Sequence, residues 1–220
     1  MTWIKICGIT SPAAAELVLQ SRPSAIGLNF YEPSPRFISN ELAKSIRRSI
    51  SDPTEVIGVF VNESFDTIAA TASVVGLTGV QLHGDESPED VLTLRQRLPD
   101  ANVCKAFRIG EDGLQPVHEF LTRCKSLNVS PDRILVDARV AGLYGGSGER
   151  IDWQLVAASE RSPDMPPMIL AGGLGPHNIA DAIATVEPWG VDVASGVENE
   201  LGEKDAHLTA EFVRTIRNAG

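Results

Sequence analysis

A thiol and a carboxylic acid, each standing at the end of a short apolar run, are the groups in this sequence best suited to acid–base chemistry. Cys7 closes the run at residues 4–7 and precedes Gly8; as a thiolate it can serve as a general base. An isolated buried cysteine is more often packing, and it is the position before a glycine that moves Cys7 toward function. Cys104 and Cys124 lack that setting and read as packing. Asp137 follows Ile134, Leu135 and Val136, so its carboxyl must be paired, hydrogen-bonded or protonated. It reads either as a cap or salt-bridge partner, or as a general acid. Arg36, inside Pro33-Ser34-Pro35-Arg36-Phe37, sits in a stiff loop from which a guanidinium can clamp a carboxylate. In Gln81-Leu82-His83-Gly84, Gln81 and His83 are candidates to line a site. Asp192 lies inside an apolar run and reads first as a buried, hydrogen-bonded acid, with substrate contact as its second use. The 4 histidines are scattered without ligand spacing, so no metal is expected.

Two glycine loops complete the set. Ala171-Gly172-Gly173-Leu174 and Ala194-Ser195-Gly196-Val197 each follow an apolar run. Glycine lets the backbone approach a ligand and aim N–H groups at an anion. Either loop alone is only a turn; together, at Gly172, Gly173, Ser195 and Gly196, they suggest a phosphate cradle.

The elements that must position these groups form an alternation. Apolar runs at 4–7, 25–30, 56–61, 79–82, 103–107, 134–136, 168–171 and 191–194 read as strands buried on both faces. Between them lie helix signals: Ser11-Pro12 and Ser87-Pro88-Glu89-Asp90 as capped starts, and stripes such as Leu42/Ile46/Ile50, Phe65/Ile68/Ala69/Ala72 and Leu208/Phe212/Val213/Ile216. Residues 114–125 and 153–159 carry weaker helical patterns. Eight strand–helix repeats imply parallel strands with right-handed crossovers. The expected fold is one (β/α)8 barrel of the TIM type over residues 1–220; a doubly wound open sheet is the alternative. In such a barrel the active site lies at the C-terminal ends of the strands, with phosphate held after strands 7 and 8. Cys7, Arg36, Gln81, His83, Asp137 and the two glycine loops fall at that end.

Composition narrows the partners. The chain has 220 residues, 43% hydrophobic, with a formal net charge of −10. An acidic surface repels nucleic acid and anionic membranes, while a local nest of N–H groups still takes a small anion. Three widely spaced cysteines argue against a disulfide framework. With no signal-peptide core and no apolar run approaching about 18 residues, a cytoplasmic protein is expected. No exposed apolar helix face stands out, so a monomer is expected.

The motifs also resemble those of the phosphoribosylanthranilate isomerases. The matching segments are Lys5-Ile6-Cys7-Gly8-Ile9, Phe30-Tyr31-Glu32-Pro33-Ser34-Pro35-Arg36, Gly58-Val59-Phe60-Val61-Asn62, Val80-Gln81-Leu82-His83-Gly84 and Leu135-Val136-Asp137. They continue with Tyr144-Gly145-Gly146-Ser147-Gly148, Asp152-Trp153, Ala171-Gly172-Gly173-Leu174 and Val191-Asp192-Val193-Ala194-Ser195-Gly196-Val197-Glu198. The resemblance implies an Amadori rearrangement of a phosphorylated aminosugar, N-(5-phosphoribosyl)anthranilate, without a cofactor. It implies Asp137 as the acid that opens the ring, Cys7 as the base at C2, Arg36 on the anthranilate carboxylate, and Gly172, Gly173, Ser195 and Gly196 around the phosphate. The 142–148 loop would fold over the substrate. Ala171 and Ala194 depart from the serines of many relatives, Ile151 from a common aromatic, and Asn29 from a usual apolar residue. Two competitors remain: the histidine-pathway aminoaldose isomerase, whose larger substrate carries two phosphates, and a barrel that binds sugar phosphates without catalysis.

Overall fold

Eight strands pair in parallel and in chain order, and the last pairs with the first, so the sheet closes into a barrel with no free edge. A computed structural model describes residues 1–50, 53–138 and 152–219. The chain runs β1 (Trp3–Cys7), α1 (Pro12–Leu19), β2 (Ala25–Asn29), α2 (Asn40–Arg48), β3 (Glu55–Phe60) and α3 (Phe65–Val75). It continues with β4 (Gly79–Leu82), α4 (Pro88–Arg97), β5 (Asn102–Ile109), α5 (Gln115–Ser126), β6 (Arg133–Ala138) and α6 (Trp153–Ala158). Then come β7 (Met168–Leu170), α7 (Ile179–Val186), β8 (Gly190–Val193), a 3-10 turn (Ser195–Val197), a hairpin of β9 (Glu198–Glu200) and β10 (Glu203–Lys204), and α8 (Ala206–Ala219). The eight apolar runs are β1 to β8, so the barrel replaces the open sheet.

Local chemistry starts the helices where the sequence puts it. Ser11 accepts the Ala14 N–H at 3.1 Å, with Pro12 in the first turn of α1. Ser87 and Asp90 form a reciprocal capping box at the start of α4. Gly76 ends α3 in a left-handed conformation. The outward residues of the strands and the inner stripes of the helices make the larger core; Phe212, Val213 and Ile216 of α8 belong to it, each worth roughly 1.5–3 kcal/mol on burial.

Inside the barrel a second apolar cluster includes Trp3, Ala25, Ile57, Cys104, Leu135 and Ile169. Its floor, at the N-terminal ends of the strands, is a charged plug. Arg133 makes two bonds to Glu55, at 2.8 and 2.9 Å, and lies 4.7 Å from the Trp3 ring; Trp3 Nε1 donates to Glu55 at 3.0 Å and stacks on Trp189. The floor is thereby filled by paired side chains, and the candidate residues lie toward the other mouth, at the C-terminal ends of the strands.

Candidate active site

Cys7 ends β1 at that mouth, half-buried. The next residue, Gly8, has φ +79°, and a Cβ there would come within 2.4 Å of Arg36 Cδ. Glycine is therefore what lets Arg36, from the loop after β2, cross beside Cys7. Arg36 is buried, and Glu198 of β9 fixes it through a two-pronged bond, Nε to Oε1 at 2.8 Å and Nη2 to Oε2 at 2.7 Å. Glu198 also accepts Lys204 Nζ at 2.6 Å and the Gly202 N–H at 3.1 Å. Burial alone would raise the Glu198 carboxyl, but the Arg36 and Lys204 contacts override it and hold it at about 2. Among the described residues Arg36 Nη1 has no acceptor, so the guanidinium keeps one edge for a ligand. The Asn29 side chain accepts from the Tyr31 N–H and donates to Ser34, which shapes the same loop.

The far side of the mouth carries Gln81, His83 and Asp137, all buried. Gln81 Nε2 lies 2.7 Å from His83 Nδ1, and His83 Nε2 lies 3.6 Å from Asp137 Oδ2. With the amide donating, Nδ1 accepts and the ring proton sits on Nε2, turned toward Asp137. Beneath them Glu86 accepts the N–H groups of Asn62 (2.8 Å) and Gly84 (2.9 Å) and the ammonium of Lys105 (3.0 Å), tying together the ends of β3, β4 and β5.

Between these halves stands the glycine cradle. Gly172 and Gly173 have φ +87° and +60°, and Asn178 braces their loop by accepting the Gly175 N–H at 2.9 Å and donating to Gly173 O at 2.9 Å. The N–H groups of Gly172 and Gly173 have no acceptor among the described residues. A Cβ on Gly196 would sit 1.8 Å from Leu174 O, so the two loops touch there and admit no side chain. The Ser195–Val197 turn faces the same space.

Asp192 is buried with Oδ2 on Lys5 Nζ at 2.8 Å, while Oδ1 has no partner among the described residues. The barrel thus brings every candidate named from the sequence to one end. Sequence reasoning missed Lys5, Glu198, Lys204 and Asn178. Lys5 did carry a signal, as a cation in an apolar strand two residues before Cys7. The 142–148 loop lies outside the described residues. Cys104 and Cys124 are buried away from the mouth, their thiols pushed up by burial to about 12 and about 11.

A thiol, a carboxyl, a braced guanidinium and two touching glycine loops thus stand together at the C-terminal end of a (β/α)8 barrel, the end at which such barrels carry their active sites. The family model for N-(5'-phosphoribosyl)anthranilate (PRA) isomerase matches residues 4–215. The Microcystis aeruginosa N-(5'-phosphoribosyl)anthranilate isomerase is 40% identical over 214 residues, covering 97% of each chain. The solved Thermotoga maritima phosphoribosylanthranilate isomerase, a dimeric enzyme, superposes with a TM-score of 0.83 at 32% identity over 99% of this chain and 100% of that one. Another structure, of a phosphoribosylanthranilate isomerase bound to reduced 1-(o-carboxyphenylamino)-1-deoxyribulose 5-phosphate, gives 0.79 at 32% identity, with 99% and 100% coverage. The chain belongs to the N-(5'-phosphoribosyl)anthranilate isomerase family, isomerases of tryptophan biosynthesis.

Proposed function

We propose that Cys7 and Asp137 divide the proton transfers of the Amadori rearrangement that converts N-(5-phosphoribosyl)anthranilate to 1-(2-carboxyphenylamino)-1-deoxyribulose 5-phosphate. The observation that carries this reading is their placement at the ends of β1 and β6, on opposite sides of one closed mouth. Asp137 gives its proton to the furanose ring oxygen, the ring C–O bond breaks, and a Schiff base forms. Cys7 as thiolate takes the proton from C2, and the electrons flow into the imine to give an enolamine. Tautomerisation to the ketone places a proton on C1 and completes an isomerisation with no net change in atoms or charge. Only protons move, so the chemistry calls for no cofactor.

The phosphate lies in the cradle of Gly172, Gly173, Ser195 and Gly196. The anthranilate carboxylate takes the open edge of Arg36, which Glu198 holds in place. His83, steadied by Gln81, orients Asp137, and Asp192 Oδ1 accepts a sugar hydroxyl. Residues 1–220 form a single catalytic barrel that works as a monomer in the cytoplasm. In support, the exposed large apolar residues Met1, Phe37, Val74, Trp189 and Leu201 fall on different elements, and the three cysteines are free thiols. Among the described residues no helix is long and apolar enough to cross a membrane.

The test follows loss of anthranilate-type fluorescence when the protein meets freshly made phosphoribosylanthranilate. Wild type is expected to drive rapid decay, while Cys7→Ala and Asp137→Asn leave only background decay and still bind a product analogue. Full activity in either variant refutes the assignment. A wild type silent on this substrate sends the reading to the histidine-pathway substrate or to a non-catalytic barrel. A dimer mass in light scattering refutes the monomer.

A further inference from the structure

Lys5 is among the largest fully buried side chains of the described residues, and the reaction sequence above leaves it without a task. It is two residues before Cys7 on β1, and strand periodicity puts both side chains on the inner face. Opposite Lys5, in register across the β1–β8 seam that closes the barrel, stands Asp192. The ammonium bonds Asp192 at 2.8 Å and is close enough to Cys7 for their charges to interact. Gly27 of β2 shows how close the two side chains lie: one Cβ placed there would come within 2.6 Å of Cys7 Sγ and 3.1 Å of Lys5 Cε.

A buried lysine next to a buried acid is usually explained by that pair alone. Here the pair is offset. The Lys5 ammonium is bonded to Asp192 but stands beside the thiol as well, and the thiol needs a cation: burial pushes Cys7 up, away from the thiolate it must become. Lys5 is the first group to pull it back, Lys204 adds to that pull, and Asp192 opposes it. Arg36 lies beside the same sulfur from the loop after β2, with Glu198 on its far side. From across the barrel Cys104 of β5 shares the field of Lys5 and Asp192, and Asp137 and His83 face the mouth from β6 and the loop after β4. Around Cys7, three cations, Lys5, Arg36 and Lys204, stand against two carboxylates, Asp192 and Glu198. The surplus positive charge is balanced when Cys7 is a thiolate.

We propose that Lys5 is a positioning residue for the reaction: anchored by Asp192 beside Cys7 on the inner face of β1, its ammonium favours the thiolate form of the Cys7 sulfur. The role rests on Cys7 being the base. Its test is read without substrate, so failure of the two ideas can be told apart. Ionisation of Cys7 is followed by thiolate ultraviolet absorbance and by the rate of iodoacetamide alkylation against pH, with Cys7→Ala as the blank. Lys5→Met is expected to move the midpoint up by about one unit or more, a tenfold or greater loss of thiolate below the midpoint. The acidic limb of kcat should move with it while KM holds. Since Lys5→Met orphans a buried carboxylate, the double variant Lys5→Met/Asp192→Asn removes both charges and is expected to shift the midpoint in the same direction by less. Asp192→Asn alone keeps the ammonium and should lower the midpoint. A midpoint unmoved in the folded Lys5 variants, or unmoved or raised in Asp192→Asn, overturns the proposal. Shifts as expected in an enzyme whose Cys7→Ala variant remains active would uphold the electrostatics and reject Cys7 as the base.

Discussion

Replacing Glu198 with Gln should loosen the protein and its substrate clamp together. The carboxyl is held at about 2 against an ordinary 4.5. At about 1.36 kcal/mol per pH unit, the gap is worth about 3 kcal/mol to the charged form. Only 3% of the Glu198 side chain is exposed, so solvent does little to screen the contacts. Removing one member of a buried ion pair costs about 3–5 kcal/mol, because the surviving charges stay buried; here the survivors are Arg36 and Lys204. Both routes give about 3 kcal/mol near neutral pH, or a Tm about 6–12 °C lower for a barrel of this size. The sign with pH follows from a depressed folded value. The contribution is complete above 4.5 and is lost as pH falls toward about 2. The Tm gap between wild type and Glu198→Gln, read by scanning calorimetry, should therefore narrow across that window. Because Arg36 loses its two-pronged anchor, KM should rise more than kcat falls. A Tm within a degree or two of wild type near neutral pH, or a gap that stays constant down to acid, refutes the reasoning.

Gly196→Ala should strike the phosphate cradle, because the new Cβ would lie 1.8 Å from Leu174 O and the two loops must part. KM is expected to rise roughly tenfold or more, about 1.4 kcal/mol, with inorganic phosphate weakened as an inhibitor to match; an unchanged KM would place the phosphate elsewhere. Arg133→Met, at the barrel floor, should lower Tm by about 4–8 °C, from roughly 2 kcal/mol of lost pairing and ring contact at a partly exposed site. It should leave kcat and KM alone, and a kinetic defect as large as the stability defect would show that the floor couples to the mouth.

How much was legible beforehand depended on whether the signal was local. Runs such as Val80 to Leu82 and Ile134 to Val136 read as strands because a parallel barrel buries both faces of each one. The serine-capped α1 and α4 could be seen from Ser11-Pro12 and Ser87-Pro88. The fifth helix was fainter because Leu114 at its start makes no side-chain cap, and α6 is only 6 residues long. The polar Glu198–Lys204 hairpin has no periodicity to detect; its reason for existing is the bond between Glu198 and Arg36, 162 residues apart. Cys7, Asp137 and the glycine loops could be chosen because the fold fixes which strand ends face the mouth. Lys5 with Asp192 could not be paired that way. Their contact spans 187 residues and depends on the closure of β1 against β8.

That closure also answers how a protein of net charge −10 can receive a substrate carrying both phosphate and carboxylate. At physiological salt the field of a surface charge fades within about 8 Å, so the scattered surface acids contribute little at the mouth. On the binding mode proposed above, what the substrate meets is local: the surplus cation around Cys7, the open edge of Arg36 and the N–H groups of the glycine cradle. Those groups are buried or fixed in backbone, where salt screens them weakly. The long-range field is repulsive and strongly screened, the short-range field attractive and weakly screened. Raising ionic strength with a salt whose ions do not compete for the phosphate site should therefore leave kcat/KM level or raise it. A steep fall, as expected for a substrate steered in by a positive surface, would mean that exposed cations rather than the buried cluster bring the substrate to the barrel.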